Sequence, residues 1–144
     1  MATTPAVRAL IHELATPLTV LMSASELLCP RTPEVIGEPL QRLRELSQQF
    51  GQEVIALRAD LDQQIDGQSA IRAAQQLRQR ASDWRHRYAA PLTRLIDQLQ
   101  AAALSLPEPL LERLLHQSLP SGLSELDRVL TRLEALQAED LQSA

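Results

Sequence analysis

The sequence predicts an all-α fold: an antiparallel four-helix bundle made of two repeated helical hairpins, an intramolecular pseudo-dimer. Three observations predict it. Apolar residues recur in steps of three and four through four long stretches, the spacing of a buried helix face. Of the 144 residues 44% are apolar, yet only Phe50, Trp84 and Tyr88 are aromatic. The core must then be built from Leu, Ala, Val and Ile, as in helical bundles. Finally, the chain repeats itself. His12-Glu-Leu-Ala-Thr-Pro-Leu-Thr-Val-Leu21 and His86-Arg-Tyr-Ala-Ala-Pro-Leu-Thr-Arg-Leu95 share six of ten residues at an offset of 74, the distance from His12 to His86.

The first helix runs from about Pro5 to Leu28, with Thr4 as N-cap and Pro5 at the first helical position. Its inner face carries Val7, Ile11, Leu14, Leu18, Leu21 and Leu28. Pro17 has no N–H, so the carbonyl of Glu13 loses its helical donor and a bend is expected there. Cys29-Pro30-Arg31-Thr32 reads as a turn, and Thr32-Pro33 restarts the chain as cap plus first residue. The second helix places Ile36, Leu40, Leu43, Ser47, Phe50, Val54, Leu57 and Leu61 inward in an alternating four-three spacing. Pro39 is expected to kink its first turns. Gly67 suits the end of a helix and Ser69 the start of the next.

The third helix turns Ala74, Leu77, Ala81, Trp84, Tyr88, Leu92, Leu95 and Leu99 inward. Leu106-Pro107-Glu108-Pro109 repeats the loop-and-restart chemistry. The fourth helix follows, is expected to break at Leu119-Pro120-Ser121-Gly122, and resumes with Leu123, Leu126, Leu130 and Leu133. Residues from about Glu139 are expected to fray.

The repeat extends past the boxes. Pro33-Glu34 matches Pro107-Glu108 and Glu38 matches Glu112 at the same offset of 74, while Phe50, Val54 and Leu57 match Leu126, Leu130 and Leu133 at 76. A two-residue insertion near Pro120 explains the change. Each hairpin, about 5–65 and 69–139, has an apolar stripe it cannot bury alone. The two therefore pack on each other within a single domain spanning 1–144. Residues 5–65 are expected to superpose on 79–139, and the closed bundle to be a monomer.

Composition excludes several classes of function. All 14 basic residues are arginine, against 18 acids, and the net charge of −4 gives no pull towards nucleic acid or an anionic membrane. One cysteine, Cys29, excludes an internal disulfide framework. No apolar run approaches the ~18 residues of a membrane span. No metal-ligand spacing and no phosphate-cradling glycine loop are present, so no cofactor is expected. The opening Met1-Ala2-Thr3-Thr4-Pro5 lacks the regions of a signal peptide, and a cytosolic location is the expectation.

Chemistry concentrates in the first box. At 100° per residue His12 points about 150° away from the apolar stripe, with Thr16 one turn later on the same outward side and Glu13 at the flank. His12-Glu13-Leu14-Ala15-Thr16-Pro17-Leu18 resembles the phosphoacceptor box of sensor histidine kinases, His-Glu-Leu-Arg-Thr-Pro-Leu. That box lies on the first helix of their dimerisation and histidine-phosphotransfer domain. Ala15 stands in place of the family's arginine; the other six positions match.

The resemblance implies that His12 accepts a phosphoryl group, that Glu13 orients or deprotonates the imidazole, and that Thr16 positions a water for dephosphorylating a partner. It also implies a partner, the receiver domain of a response regulator or else a sensor kinase. That partner is expected to dock beside the first two helices, over Ala15, Thr19 and the stretch from Val35 to Leu43. In the second box Arg87 replaces Glu13 and Ala90 replaces Thr16, so His86, Arg87 and Ala90 form a degenerate site. Arg85, Arg87 and Arg94 there are read as solvated charges or as contacts for an acidic partner. A complete kinase of the family needs an ATP-binding domain with an asparagine and glycine-rich boxes. This sequence has no asparagine and four glycines, so it is not expected to be a self-sufficient ATP-dependent kinase. Three readings follow: a phosphorelay protein, an adaptor or inhibitor that mimics the kinase domain, or a bundle recruited to unrelated assembly.

Overall fold

The computed structural model describes residues 5–28, 37–64, 70–102, 109–137 and 139. They form four helical rods, with no strand among the described residues. The first rod is α1 (Pro5–His12) and α2 (Ala15–Leu28); the second is α3 (Gly37–Gln64). The third joins α4 (Ala70–Trp84) to α5 (Ala90–Ala102) through a π-helical turn, Arg85–Ala89. The fourth joins α6 (Pro109–Arg113) to α7 (Leu119–Glu134) through a second π-helical turn, Leu114–Ser118.

The rods pack in a ring, each against its two neighbours in chain order, with the fourth closing on the first. Cross-rod contacts set the directions. Glu13 lies by Arg128 and Arg132 while Leu21 lies by Gly122, so the first and fourth rods are antiparallel. Arg78 meets Leu136, Arg85 meets Glu134 and Gln100 meets Leu115, so the third and fourth are antiparallel too. Glu26 reaches Arg44, and Glu53 sits one end away beside Trp84 and Tyr88, which runs the second rod against both. The expected all-α bundle of two helical hairpins is the fold observed. The turns expected at 29–32, 66–69 and 106–108 lie outside the described residues.

The inner faces follow the sequence pattern closely. Val7, Ile11, Leu14, Leu18, Leu21 and Leu28 are buried, as are Leu40, Leu43, Ser47, Phe50, Val54 and Leu57. Ser47 belongs there because its hydroxyl donates to the Leu43 carbonyl at 2.8 Å, which satisfies that hydroxyl within the core. All three aromatics meet between the second and third rods. Phe50 stacks on Tyr88 with centroids 4.9 Å apart and tilts against Trp84 at 5.3 Å.

The prolines act differently from expectation, and each for a backbone reason. Pro17 does more than bend the first rod. Glu13 N–H still donates to Ala9, but Leu14 N–H turns to Ile11, three residues back, and the helix stops at His12 and restarts at Ala15. Pro39 kinks nothing among the described residues, since it is the third residue of an unbroken α3, where its missing N–H has little to bond. Pro91 and Pro120 are absorbed by the π-turns before them, closed by Ala90 N–H to the Arg85 carbonyl and Leu119 N–H to the Leu114 carbonyl. The fourth rod is thus continuous through Leu119–Gly122, where a break was expected. A π-turn is an α-helix with about one extra residue, and it rotates the face beyond it. In the third rod this carries the inward position from Leu95, half-buried, to Ile96, buried. In the fourth, Leu115 matches Leu40 at an offset of 75 before Leu119 and Leu126 match Leu43 and Phe50 at 76.

Candidate functional site

The candidate site is built at the break in the first rod. His12 ends α1 and Thr16 is the second residue of α2, with the Glu13–Leu14 turn between them. Leu14 is fully buried and pins that turn to the core, while His12 and Thr16 both face solvent. Neither the imidazole nor the Thr16 hydroxyl makes a hydrogen bond or ion pair among the described residues. Back-bonding to the preceding turn falls instead to Thr19, whose hydroxyl donates to the Ala15 carbonyl at 2.8 Å. The same bond recurs in the second box from Thr93 to Ala89. Thr16 is therefore held by its backbone alone, with its hydroxyl open.

Glu13 does not turn to the histidine. Its Oε2 faces the fourth rod, 3.5 Å from Arg128 and 3.6 Å from Arg132, and is screened from water without a close hydrogen bond. Arg128 also pairs with Glu125 one turn back, and that hydrogen bond is the main reason its pKa is raised. No hydrogen bond or ion pair joins Glu13 to His12 among the described residues; the carboxylate is turned to the fourth rod instead.

Of the expected docking residues, Thr19 is exposed and Ala15 half-buried on the same rod. Leu43 is a correction. It is 0% exposed, a core residue of α3, and its side chain cannot meet a partner. Its place on the inner stripe already required that. Val35 lies outside the described residues.

The second box is closed where the first is open. His86 faces solvent on the π-turn, but its neighbours are tied down. Arg87 donates to Glu53 through both terminal nitrogens, at 3.2 and 3.1 Å, and to Asp83 at 3.0 Å. The Asp83 bond, then the Glu53 charge, raises its pKa. Its guanidinium lies 5.1 Å from the Tyr88 ring centroid, and Glu53 also accepts from the Tyr88 hydroxyl and from Trp84 Nε1 at 3.4 Å. Arg85 clamps the third rod to the fourth through Glu134, Asp127 and Thr131. Arg85 and Arg87 are thus engaged in ion pairs within the bundle, Arg85 mostly covered and Arg87 still half exposed to solvent. Ala90, half-buried, offers no hydroxyl in the place of Thr16.

No group of His, Cys, Asp and Glu able to hold a metal occurs among the described residues. No helix among them is long and apolar enough to cross a membrane. Comparison of the chain with known protein families, with curated proteins and with solved structures finds no match. The reading of the site therefore rests on its own residues and geometry.

Proposed function

We propose that the protein is a cytosolic phosphorelay component of two-component signalling, in which His12 exchanges a phosphoryl group with the aspartate of a response-regulator receiver domain. One observation carries this reading: His12 and Thr16 stand exposed on the outer side of one rod, with ring and hydroxyl both unengaged among the described residues. An imidazole nitrogen with a free lone pair can attack the phosphorus of an aspartyl phosphate in line. The N–P bond forms as the acyl-phosphate P–O bond breaks, and the carboxylate leaves. The reverse step returns the group. The receiver brings its own magnesium, so this chain needs no cofactor. Thr16 Oγ is free to hold a water against a phosphorylated partner, which gives the site a phosphatase role as well. A sensor kinase is the alternative source of the phosphoryl group.

The engagement of Glu13 with Arg128 and Arg132 favours a second reading, in which the bundle binds a receiver domain or kinase as an adaptor or inhibitor and carries no phosphate. Incubation with phosphorylated receiver domains, scored for acid-labile phosphate, separates the two. The relay expects His12→Gln to lose all labelling with the fold intact, Thr16→Ala to label normally but spare a phosphorylated partner, and His86→Gln to match the wild type. Full biological activity of His12→Gln would sink the relay and leave the binding module standing.

A further inference from the structure

Two acids of the first hairpin hold arginines of the second. Glu13 faces Arg128 and Arg132 on α7, and Glu53 on α3 takes both terminal nitrogens of Arg87. Glu13 and Arg87 hold the same place in the repeat with the sign inverted, and their partners lie within a turn of matching positions on α3 and α7. Glu13 and Arg87 match at an offset of 74. The offset of 76 that keeps α3 and α7 in step matches Glu53 to Val129, and Gln52 and Ala56 to Arg128 and Arg132. Asp83 and Glu125, which flank Arg87 and Arg128, are held within the second hairpin and do not cross.

A duplicated hairpin has a pairing problem. Both copies present similar apolar stripes, so burial alone does not distinguish one hairpin on the other from either hairpin on a second copy of itself. The charges do. Paired with its own copy, the first hairpin would set Glu13 beside Gln52, Glu53 and Ala56, an acid against an acid. The second would set Arg87 against Arg128 and Arg132. The overall charge is divided the same way: residues 1–66 hold five arginines and nine acids, residues 67–144 nine of each. We propose that Glu13, Glu53, Arg87, Arg128 and Arg132 form a pairing code that makes the second hairpin the partner of the first and rejects a second copy of either.

The full chain tests this. In Glu53→Arg/Arg87→Glu the pair between hairpins is kept with its sign reversed, at the loss of the bonds that Glu53 accepts from Tyr88 and Trp84 and that Arg87 gives Asp83. Each hairpin, however, becomes complementary to its own copy. The five residues between Gln64 and Ala70 give closure within a chain an effective concentration on the order of millimolar. The chain is therefore unfolded in urea, refolded at about that concentration and analysed by sedimentation velocity. The wild type is expected to return as monomer, and the double variant to yield a several-fold larger dimer fraction. If that variant does not refold, Glu13→Arg/Arg128→Glu/Arg132→Glu, whose acid is more exposed than Glu53 and holds no aromatic donor, makes the same prediction. A folded variant that stays as monomeric as the wild type, or a wild type that dimerises as readily, overturns the code and leaves the pairs as simple bundle contacts.

Discussion

Gly122 offers a test of how closely the first and fourth rods approach. A Cβ built on it would lie 3.3 Å from Leu21 Cδ2, 3.4 Å from Leu21 Cγ and 3.4 Å from Val20 Cγ1. Two effects oppose each other in Gly122→Ala. Alanine favours a helix interior by about 1 kcal/mol over glycine. Against it, the Leu21 methyl must yield by a few tenths of an ångström, and Leu21 is fully buried. Because Leu21 has nowhere exposed to move, its displacement costs about as much as the propensity gain, so the two nearly cancel and the net change should fall within about 0.5 kcal/mol of zero. Gly122→Leu keeps most of the propensity gain but drives three further heavy atoms into the same gap. Overpacking of that kind costs about 1–3 kcal/mol, and more when the neighbour cannot leave. The expected result is a net loss, largest where the rods cannot spread. Urea denaturation followed by Trp84 fluorescence measures both. Stability gained in Gly122→Leu would mean that the rods do not touch at this glycine, and would refute the packing argument.

Two further outcomes follow from the aromatic cluster. Phe50→Ala should cost about 3–5 kcal/mol, a large share of the ~5–15 kcal/mol typical of a domain, because the ring is fully buried between the hairpins; a loss below about 1 kcal/mol in denaturant would show that Phe50 is not in the core. Tyr88 should titrate above the ordinary phenol value of ~10, since burial and then its hydrogen bond to Glu53 favour the neutral ring. Its contribution to stability is then full below that ordinary value and is lost as pH rises through the higher folded-state value; tyrosinate absorbance of this single tyrosine and Tm between pH 8 and about 11.5 check it, and ionisation at or below ~10 would contradict the burial.

Legibility of the fold in the sequence depended on which physical signal was being read. The inner faces were readable because a 3.6-residue period leaves a stripe that burial must respect, and from Val7 to Leu133 it did so with few exceptions. The prolines were not. A missing N–H states that one carbonyl loses a donor, but not how the chain responds. Pro17 produced a tight turn, Pro91 and Pro120 produced π-turns, and Pro39 produced nothing, because it lies where donors are already spare. Leu95 was misplaced for that reason: the π-turn before it moved the inward position one residue on. The shift of the repeat from 74 to 76 is the one trace of such a turn that the sequence carried; it was legible as an insertion near Pro120, but not as the π-turn at Leu114–Ser118 that precedes it.

The candidate site divides along the same line. Exposure of His12 and Thr16 follows from their angle to the stripe, and it was legible. The partner of Glu13 was not, because a flank position can turn towards a neighbour on its own helix or towards the next rod, and only the rotation of the fourth rod brings Arg128 and Arg132 to it. A repeat could have supplied the missing signal. When the acid of one box is replaced by an arginine in the other, each copy needs a counter-charge, and a bundle can provide it across the hairpin boundary. Arg87 finds Glu53, and Glu13 finds two arginines. The replacement of Glu13 by Arg87 reads as decay when the second box is considered alone. Beside Glu53 it is one half of an exchange: the side chain that stands where the second box lacks its acid is the one that ties the two hairpins together.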